Sequence, residues 1–130
     1  MKLTKIDAIT LFVVDPHLSR DFYKRVFEVS PLFEDTNSVA FAFDGAIVNL
    51  LARSAAPELI SPAQVAAEDS GNHSQMTVAV DDVDAACNEL LDKGIVLLNG
   101  PMDRPWGIRT ASFADPDGHI WEVAAQLPKR

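Results

Sequence analysis

One carboxylate, Glu122, is the residue of this sequence best placed to do chemistry. It lies in an otherwise apolar run, Ile120-Trp121-Glu122-Val123. Burying a carboxylate is costly unless a metal, a cation, a bound molecule or water receives it. We therefore expect Glu122 to be a metal ligand, a general base or a hydrogen-bond acceptor for a ligand. The alternative is that a neighbouring side chain or water satisfies it without any function.

Four further side chains are candidates for the same site. Gln75 and Asn49 carry amides that could orient a substrate, or could bond to each other across the sheets. Trp106 could stack on an aromatic ligand, and Arg109 could pair with a carboxylate or phosphate. The alternative is that Trp106 only fixes its loop and Arg109 only offsets acidic charge. For Arg104 we favour that structural role.

The elements that must position these residues occur as the same βαβββ pattern twice. We predict a single domain, 1–130, with module one at about 3–52, a connector at about 53–74 and module two at about 75–127. Two alignments support the repeat, one on the aspartates that precede the helices and one on the Asp-Gly hairpin turns. They pair Asp15 with Asp82, Thr10 with Thr77, Gly45 with Gly118, and Asn49 with Glu122.

Hydrophobic periodicity and turn residues give the individual elements. Module one is predicted to have a strand at 6–14, a helix from Pro16 that ends before Pro31, and strands near 32–33, at 39–43 and at 46–52. One helical turn is predicted in the connector near 62–67. Module two is predicted to have a strand at 75–80, a helix between Asp82 and Gly94, a strand at 95–98, a turn at 99–101 and a closing hairpin.

Alternation along the strands assigns the candidate residues to faces. The helices are expected to cover Ile9, Leu11 and Val13 in module one, and Met76, Val78 and Val80 in module two. The opposite faces would carry Ala8, Thr10 and Phe12, and Gln75, Thr77 and Ala79. Asn49 and Glu122 would be the polar residues of the last strands. Two such sheets facing each other would enclose a small-molecule cavity, with Thr10 and Phe12 among the ligand-binding residues.

Composition excludes several classes of partner. The formal net charge is −8 without a cluster of Lys or Arg, which argues against binding to nucleic acid or an anionic membrane. The single cysteine, Cys87, permits no internal disulfide and fits a reducing compartment. We find neither a signal-peptide pattern nor a membrane-spanning apolar run. We therefore expect a cytoplasmic protein whose partner is a small molecule.

Three motifs carry a resemblance that covers roughly residues 3–127. They are Leu11-Phe12-Val13-Val14-Asp15 with Phe22-Tyr23, then Val80-Asp81-Asp82-Val83-Asp84-Ala85, and finally Trp106-Gly107 through Phe113-Ala114-Asp115-Pro116-Asp117-Gly118. In these the chain resembles the vicinal oxygen chelate superfamily, which includes glyoxalase I, extradiol dioxygenases and bleomycin- and fosfomycin-resistance proteins. The resemblance implies an α+β fold in which two βαβββ modules form a cupped mixed sheet.

The resemblance also implies where a metal would be held. The family's ligand positions correspond here to Ala8, Asn49, Gln75 and Glu122. Ala8 offers no donor, Asn49 only a neutral carbonyl oxygen, and Gln75 a weak ligand beside the strong Glu122. A catalytic divalent site needs about three protein ligands. The cofactor is therefore unknown, and a divalent metal on Glu122 and Gln75 would have an incomplete site.

Two functions remain open from the resemblance. The first is a glyoxalase-like lyase or isomerase, or a dioxygenase-related enzyme, with Glu122 as the catalytic residue and Gln75 assisting it. The alternative is a non-catalytic protein that binds and sequesters an antibiotic or toxin, as bleomycin-resistance proteins do. In either case we expect a homodimer.

Overall fold

The βαβββ pattern predicted from the sequence occurs once in each of two units of the chain. Residues 1–129 are described in a computed structural model, which divides into a first unit, Met1–Ser70, and a second unit that begins at Gly71. Each unit contains one four-stranded sheet with parallel and antiparallel pairs. The predicted α+β class is confirmed. No helix among these residues has the length and apolar composition that crossing a bilayer requires.

The first unit contains four strands and two helices. They are β1 (Ala8–Val13), α1 (Pro16–Phe27), β2 (Pro31–Glu34), β3 (Ser38–Phe43), β4 (Ala46–Ala52) and α2 (Pro57–Ile60). The strand order is β1-β4-β3-β2, with β1 parallel to β4 and the other pairs antiparallel. Helix α1 covers one face of the sheet, where it contacts β3 and β4.

Helix α1 begins at Pro16 because Asp15 caps it. The Asp15 carboxylate accepts hydrogen bonds from the backbone amides of His17 at 3.0 Å and Leu18 at 3.3 Å. These bonds satisfy amides that the start of a helix leaves unpaired. Tyr23, on the apolar stripe of the helix, is fully buried against the sheet. The cap and the stripe together fix α1 where the sequence predicts it.

Residues 71–129, the described part of the second unit, contain four strands and one helix. They are β5 (Gln75–Ala79), α3 (Val83–Asp92), β6 (Asn99–Asp103), β7 (Ile108–Ala114) and β8 (Ile120–Gln126). The strand order is β5-β8-β7-β6, with β5 parallel to β8 and the other pairs antiparallel. The Asp82 carboxylate caps α3 by accepting from the Ala85 amide at 3.1 Å. The helix packs chiefly on β6, β7 and β8. Met76 and Val78 of β5 lie beside Trp121 and Val123 on that same side of the sheet, as the predicted assignment of faces has it.

The strand predicted at 95–98 is wrong. Its first residue, Ile95, belongs instead to the hydrogen-bonded turn that ends α3. The Gly94 amide donates to the Leu91 carbonyl and the Ile95 amide donates to the Leu90 carbonyl, both at 3.0 Å. This pair of bonds is the Schellman motif, which brings an apolar residue after the glycine against the last turn. Ile95 and Leu90 are accordingly both buried, and the chain joins the sheet only later.

Strand β6 lies where a turn was predicted, at 99–101. Gly100 and Pro101 are typical turn residues, but they belong here to an edge strand whose register shifts between Asn99 and Met102. Proline is tolerated in edge strands and at bulges because it lacks an amide to donate. The sequence does not reveal which strand lies at the edge, so composition alone favours the turn.

The helical turn predicted near 62–67 lies instead at α2, between Pro57 and Ile60. Its end follows from Pro62, because a residue that precedes proline is disfavoured in the helical conformation. Ser61 is extended accordingly, with ψ 139°. Proline at the first helical position suits the start of α2 equally well.

The closing hairpin turns at Asp115-Pro116-Asp117-Gly118, as the sequence predicts. The Asp115 carboxylate accepts from the backbone amides of Asp117 at 2.9 Å and His119 at 2.8 Å. Gly118 has a φ of +87°, which residues with a side chain rarely adopt. The turn therefore fixes where β8 begins, and with it the register of Glu122.

The strand register confirms the predicted pairing of the two repeats. Thr10 lies opposite Asn49 in the parallel β1–β4 pair, and Thr77 lies opposite Glu122 in the parallel β5–β8 pair. Equivalent threonines therefore neighbour equivalent polar residues in each unit. The repeat places an amide in the first unit where the second has a carboxylate.

We predict that Gly100→Ala destabilises the protein more than Gly94→Ala does, although both glycines have a positive φ. A Cβ at position 100 would lie 2.5 Å from the Thr110 carbonyl oxygen and 2.7 Å from the Ala111 Cα. Overpacking against backbone should lower the free energy of unfolding by about 2–3 kcal/mol. Gly94→Ala is the control, because Gly94 also has positive φ but open space around it, and it should cost about 1 kcal/mol. Equal losses in urea denaturation would contradict the prediction.

Candidate functional site

Glu122 lies in β8, between β5 and β7, in the interior of the second unit's sheet. Its side chain is buried, with the residue 9% exposed. The Thr77 hydroxyl donates a hydrogen bond of 3.0 Å to Oε1. Among residues 1–129, no donor bonds to Oε2 and no cation pairs with the carboxylate. One oxygen is therefore held by the protein, and the other remains available to a ligand.

Glu122 belongs to a row of polar residues that crosses the whole sheet. Residue pairing between neighbouring strands places the row in the order Thr77, Glu122, Ser112, Asn99. Thr110 lies on the same side, two residues from Ser112 along β7. We call this side the Glu122 face. The opposite side carries the buried Trp121, Val123, Ala111 and Phe113, on which α3 packs.

Arg104, in the connection from β6 to β7, lies on the Glu122 face. Its Nε donates to the Thr110 hydroxyl at 2.9 Å, and one terminal nitrogen donates to Asn99 Oδ1 at 3.3 Å. Its guanidinium carbon lies 5.9 Å from the centre of the Trp106 ring. Spacing alone could not reveal this residue, because Asn99 and Thr110 come together only through the pairing of β6 with β7. Arg104, for which the sequence favoured a structural role, is therefore also placed where it could bind a ligand.

Trp106 lies in the same connection and is 67% exposed. A large exposed indole beside a guanidinium offers a flat apolar surface to a ligand. Its contact with Arg104 places Trp106 near the Glu122 face, and its role in binding a ligand stays a prediction.

Arg109 lies on the opposite, helix-covered side of the same sheet. Its guanidinium donates two hydrogen bonds to Asp84 of α3, at 3.0 and 2.9 Å, and one to Asp103 of β6, at 2.8 Å. The bonds from Arg109 hold the pKa of the Asp84 carboxyl below its usual range. In return, Asp84 and Asp103 raise the pKa of Arg109 above its ordinary value. Arg109 therefore links α3 to the sheet and does not share a face with Glu122.

The remaining candidate of the second unit, Gln75, is exposed at the start of β5. It shares the Glu122 face with Thr77, two residues along the strand, and lies opposite Ile120 of β8. A pocket of about 430 Å³ opens farther along the same strands. Its lining residues all belong to the second unit: Thr77, Ala79, Val80, Ile108, Ala124, Ala125 and Gln126.

In the first unit the predicted residues share the face that α1 leaves open. Thr10 lies beside Asn49, and Phe12 lies beside Leu51. Leu11 and Val13 alternate with them and are buried, which confirms the predicted assignment of faces. Ala8 lies opposite Ile47 and provides no polar atom on its side chain.

The donors on the Glu122 face do not fit a divalent metal. Glu122 is flanked by the hydroxyls of Thr77 and Ser112, which are poor ligands without a second strong donor. Across residues 1–129, no three His, Cys, Asp or Glu side chains converge on a point where an ion could bind. A divalent ion on this face would therefore have a single strong protein ligand, Glu122.

Comparisons with known proteins agree with the fold. Residues 5–123 match the family model described as Glyoxalase/Bleomycin resistance protein/Dioxygenase superfamily. The uncharacterized protein YraH of Bacillus subtilis (strain 168) is 30% identical over 128 residues, which cover 95% of this chain and 99% of that protein.

Two crystal structures are also similar. A glyoxalase/bleomycin resistance protein/dioxygenase from Nocardioides superposes with a TM-score of 0.83 at 26% identity, covering 100% of this chain and 88% of the other. A glyoxalase-related enzyme from Fulvimarina pelagi superposes with a TM-score of 0.81 at 25% identity, covering 94% and 88%.

The Arg109–Asp84 contact generates a prediction on pH. Because the pKa of Asp84 is lowered in the folded protein, the contact stabilises the fold above the ordinary aspartate pKa of about 3.9. That contribution is lost as the pH falls through the lower folded value. We expect the melting temperature of the wild type to exceed that of Asp84→Asn near neutral pH, by a small margin because the groups are exposed. The two should converge once the pH has fallen below that lowered value.

Circular dichroism melts across the acidic range would measure this difference. Asp81→Asn, at an exposed aspartate on the approach to the same helix, is the control and should follow the wild type throughout. A gap between wild type and Asp84→Asn that does not change with pH would contradict the electrostatic origin.

Proposed function

The chain belongs to the Glyoxalase/Bleomycin resistance protein/Dioxygenase superfamily, and on that premise we propose that it binds a small organic molecule on the Glu122 face without a resident metal. The observation that carries the proposal is the unequal use of the two Glu122 oxygens. Thr77 holds Oε1 at 3.0 Å, while Oε2 has no donor within residues 1–129. A ligand ammonium, hydroxyl or amide N–H would supply the missing donor.

The surroundings of Glu122 support a ligand of modest size. Thr77 both holds the carboxylate and lines the pocket of about 430 Å³, so the two features are contiguous. Ala79 and Ala124 lie beside each other on the floor of that pocket. Their small side chains leave room for an apolar group, and pockets of this volume suit small molecules.

A second candidate function is an enzyme that uses Glu122 as a general base without a metal. The hydrogen bond from Thr77 favours it, because a base must be held in one orientation while a free oxygen approaches the proton it removes. The relative from Fulvimarina pelagi is itself described as a glyoxalase-related enzyme. Turnover of a bound compound, lost in Glu122→Gln, would identify this activity; binding without consumption would favour sequestration.

We predict that Glu122→Gln weakens binding of donor-bearing ligands without destabilising the protein. Wild type would be screened by ligand-observed NMR against small amines, carboxylic acids and neutral aromatic compounds, and hits carried into calorimetry. Loss of a charge-assisted hydrogen bond should weaken the binding of amine and hydroxyl hits by about tenfold or more. The free energy of unfolding should stay equal or rise, because a buried charge with one hydrogen bond is replaced by a neutral amide.

Glu89→Gln is the matched control, since Glu89 is an exposed carboxylate of α3 in the same unit. It should bind every hit as the wild type does. If Glu122→Gln retains full affinity but loses stability, the carboxylate has a structural role and the proposal fails.

Thr77→Val should weaken the same ligands less than Glu122→Gln does. Valine keeps the shape of threonine but removes the hydroxyl that positions Oε1, and one such hydrogen bond is worth about 1 kcal/mol, or roughly fivefold in affinity. Calorimetry with the hits from the same screen would measure the change. An effect larger than that of Glu122→Gln would show that Thr77, rather than the carboxylate, is the main ligand contact.

A further inference from the structure

We propose that the ligand of the Glu122 face is a small zwitterion with a flat apolar body, whose cationic end binds Glu122 and whose carboxylate or phosphate binds Arg104. This inference rests on the proposed function and extends it by naming the chemical class of the ligand. It comes from the different partners of Arg104 and Arg109 and from the position of Trp106.

Arg104 is held by neutral groups, whereas Arg109 is neutralised. Arg109 donates to the carboxylates of Asp84 and Asp103. Arg104 donates to the Thr110 hydroxyl and the Asn99 amide oxygen, and within residues 1–129 it pairs with no carboxylate. The positive charge of Arg104 is therefore oriented but not cancelled.

The hydrogen bonds of Arg104 leave donors for an anion. A guanidinium has five N–H groups in one plane, and the contacts with Thr110 and Asn99 use two of them. Thr110 is fully buried, so the bond from Nε anchors the guanidinium to the sheet. A planar fork held in this way can donate two parallel bonds to a carboxylate or phosphate.

The sheet sets the separation between the two charged groups. Glu122 lies on β8, Thr110 on β7 and Asn99 on β6, and neighbouring strands are about 4.8 Å apart. Thr110 lies one strand across from Glu122 and two residues along, opposite Ala124, and Asn99 lies two strands across. The guanidinium that bridges them is therefore about 8–10 Å from Glu122. A ligand that satisfies both groups needs its cation and its anion separated by a similar distance, which a single planar ring between them provides.

Trp106 indicates what lies between the ligand's charged ends. Its ring is 67% exposed and its centre lies 5.9 Å from the Arg104 guanidinium carbon. The Arg104 guanidinium lies over one face of this ring, and the exposed remainder of the indole gives a flat ligand a surface to stack on. An aromatic or similarly planar body suits this position better than a flexible aliphatic chain.

The test uses three probes that share a benzene ring and differ in the charged arms on it: para-(aminomethyl)phenylacetate has both, phenylacetate has the anionic arm alone, and benzylamine has the cationic arm alone. In calorimetry the wild type should bind the zwitterion about tenfold more tightly than either single-charge probe. Arg104→Gln should weaken the zwitterion and phenylacetate by about tenfold and leave benzylamine unchanged. Glu122→Gln should weaken the zwitterion and benzylamine and leave phenylacetate unchanged.

Arg25→Gln is the control for the loss of one positive charge, because Arg25 is an exposed residue of α1; it should bind all three probes as the wild type does. Should Arg104→Gln fail to fold, Arg104→Lys decides. A lysine cannot donate two parallel bonds, so phenylacetate should bind about threefold or more weakly. Unchanged phenylacetate affinity in that variant would overturn the inference.

The remaining outcomes separate this inference from the proposed function. If Glu122→Gln loses the zwitterion and Arg104→Gln keeps it, the Arg104 subsite is wrong and the proposed function stands. If neither substitution affects the zwitterion, both are wrong. If the wild type binds none of the three probes at about 10 mM, weaker than any useful affinity, the zwitterion class is wrong, and the broader NMR screen decides the proposed function.

Discussion

The constraint on which the second unit depends is the presence of a carboxylate in the middle of an interior strand. β8 has neighbours on both sides, so Glu122 cannot turn to an open edge as it could on β5 or β6. Strand alternation leaves it a single direction, away from α3, and the parallel pairing with β5 brings the Thr77 hydroxyl beside it. A shift of one residue in β8 would send Trp121 to that face and Glu122 under the helix. The Asp115 turn, which fixes where β8 starts, therefore also determines where the carboxylate points.

Arg104 and Arg109 are close together in sequence but lie on opposite sides of the sheet, where they have different partners. Arg109 follows the strand period of β7 and points toward α3, where Asp84 meets it. Arg104 precedes β7, in the connection, and folds back over the other side of the sheet to Thr110. One side of the sheet is thus joined to its helix by charge, while the other is lined by hydroxyls, an amide and an unneutralised guanidinium. Because of that difference, it is the Glu122 face that offers groups able to bind a ligand.

Much of this arrangement was accessible from the sequence. The aspartate caps located both long helices, the Asp-Gly turns located both hairpins, and β4 lies at Ala46–Ala52 as expected. The faces of β1 followed from alternation. The wrong predictions concern residues whose structure is set by contacts outside the predicted element. Ile95 belongs to the cap of α3 and not to a strand, and Gly100-Pro101 belongs to an edge strand and not to a turn. The hydrogen bonds of Arg104 could not be predicted for a related reason. Its partners, Asn99 and Thr110, come together only through strand pairing.

The Gly100-Pro101 interruption has a consequence for how the second unit behaves among other proteins. An edge strand with a continuous row of amides and carbonyls is a template on which foreign strands can add, and this is a common start of aggregation. Pro101 has no amide to offer, and the register of β6 shifts between Asn99 and Met102. Both features make this edge a poorer template for an added strand. The polar face next to Arg104 is therefore bordered by an edge that discourages the backbone of another polypeptide from pairing with it.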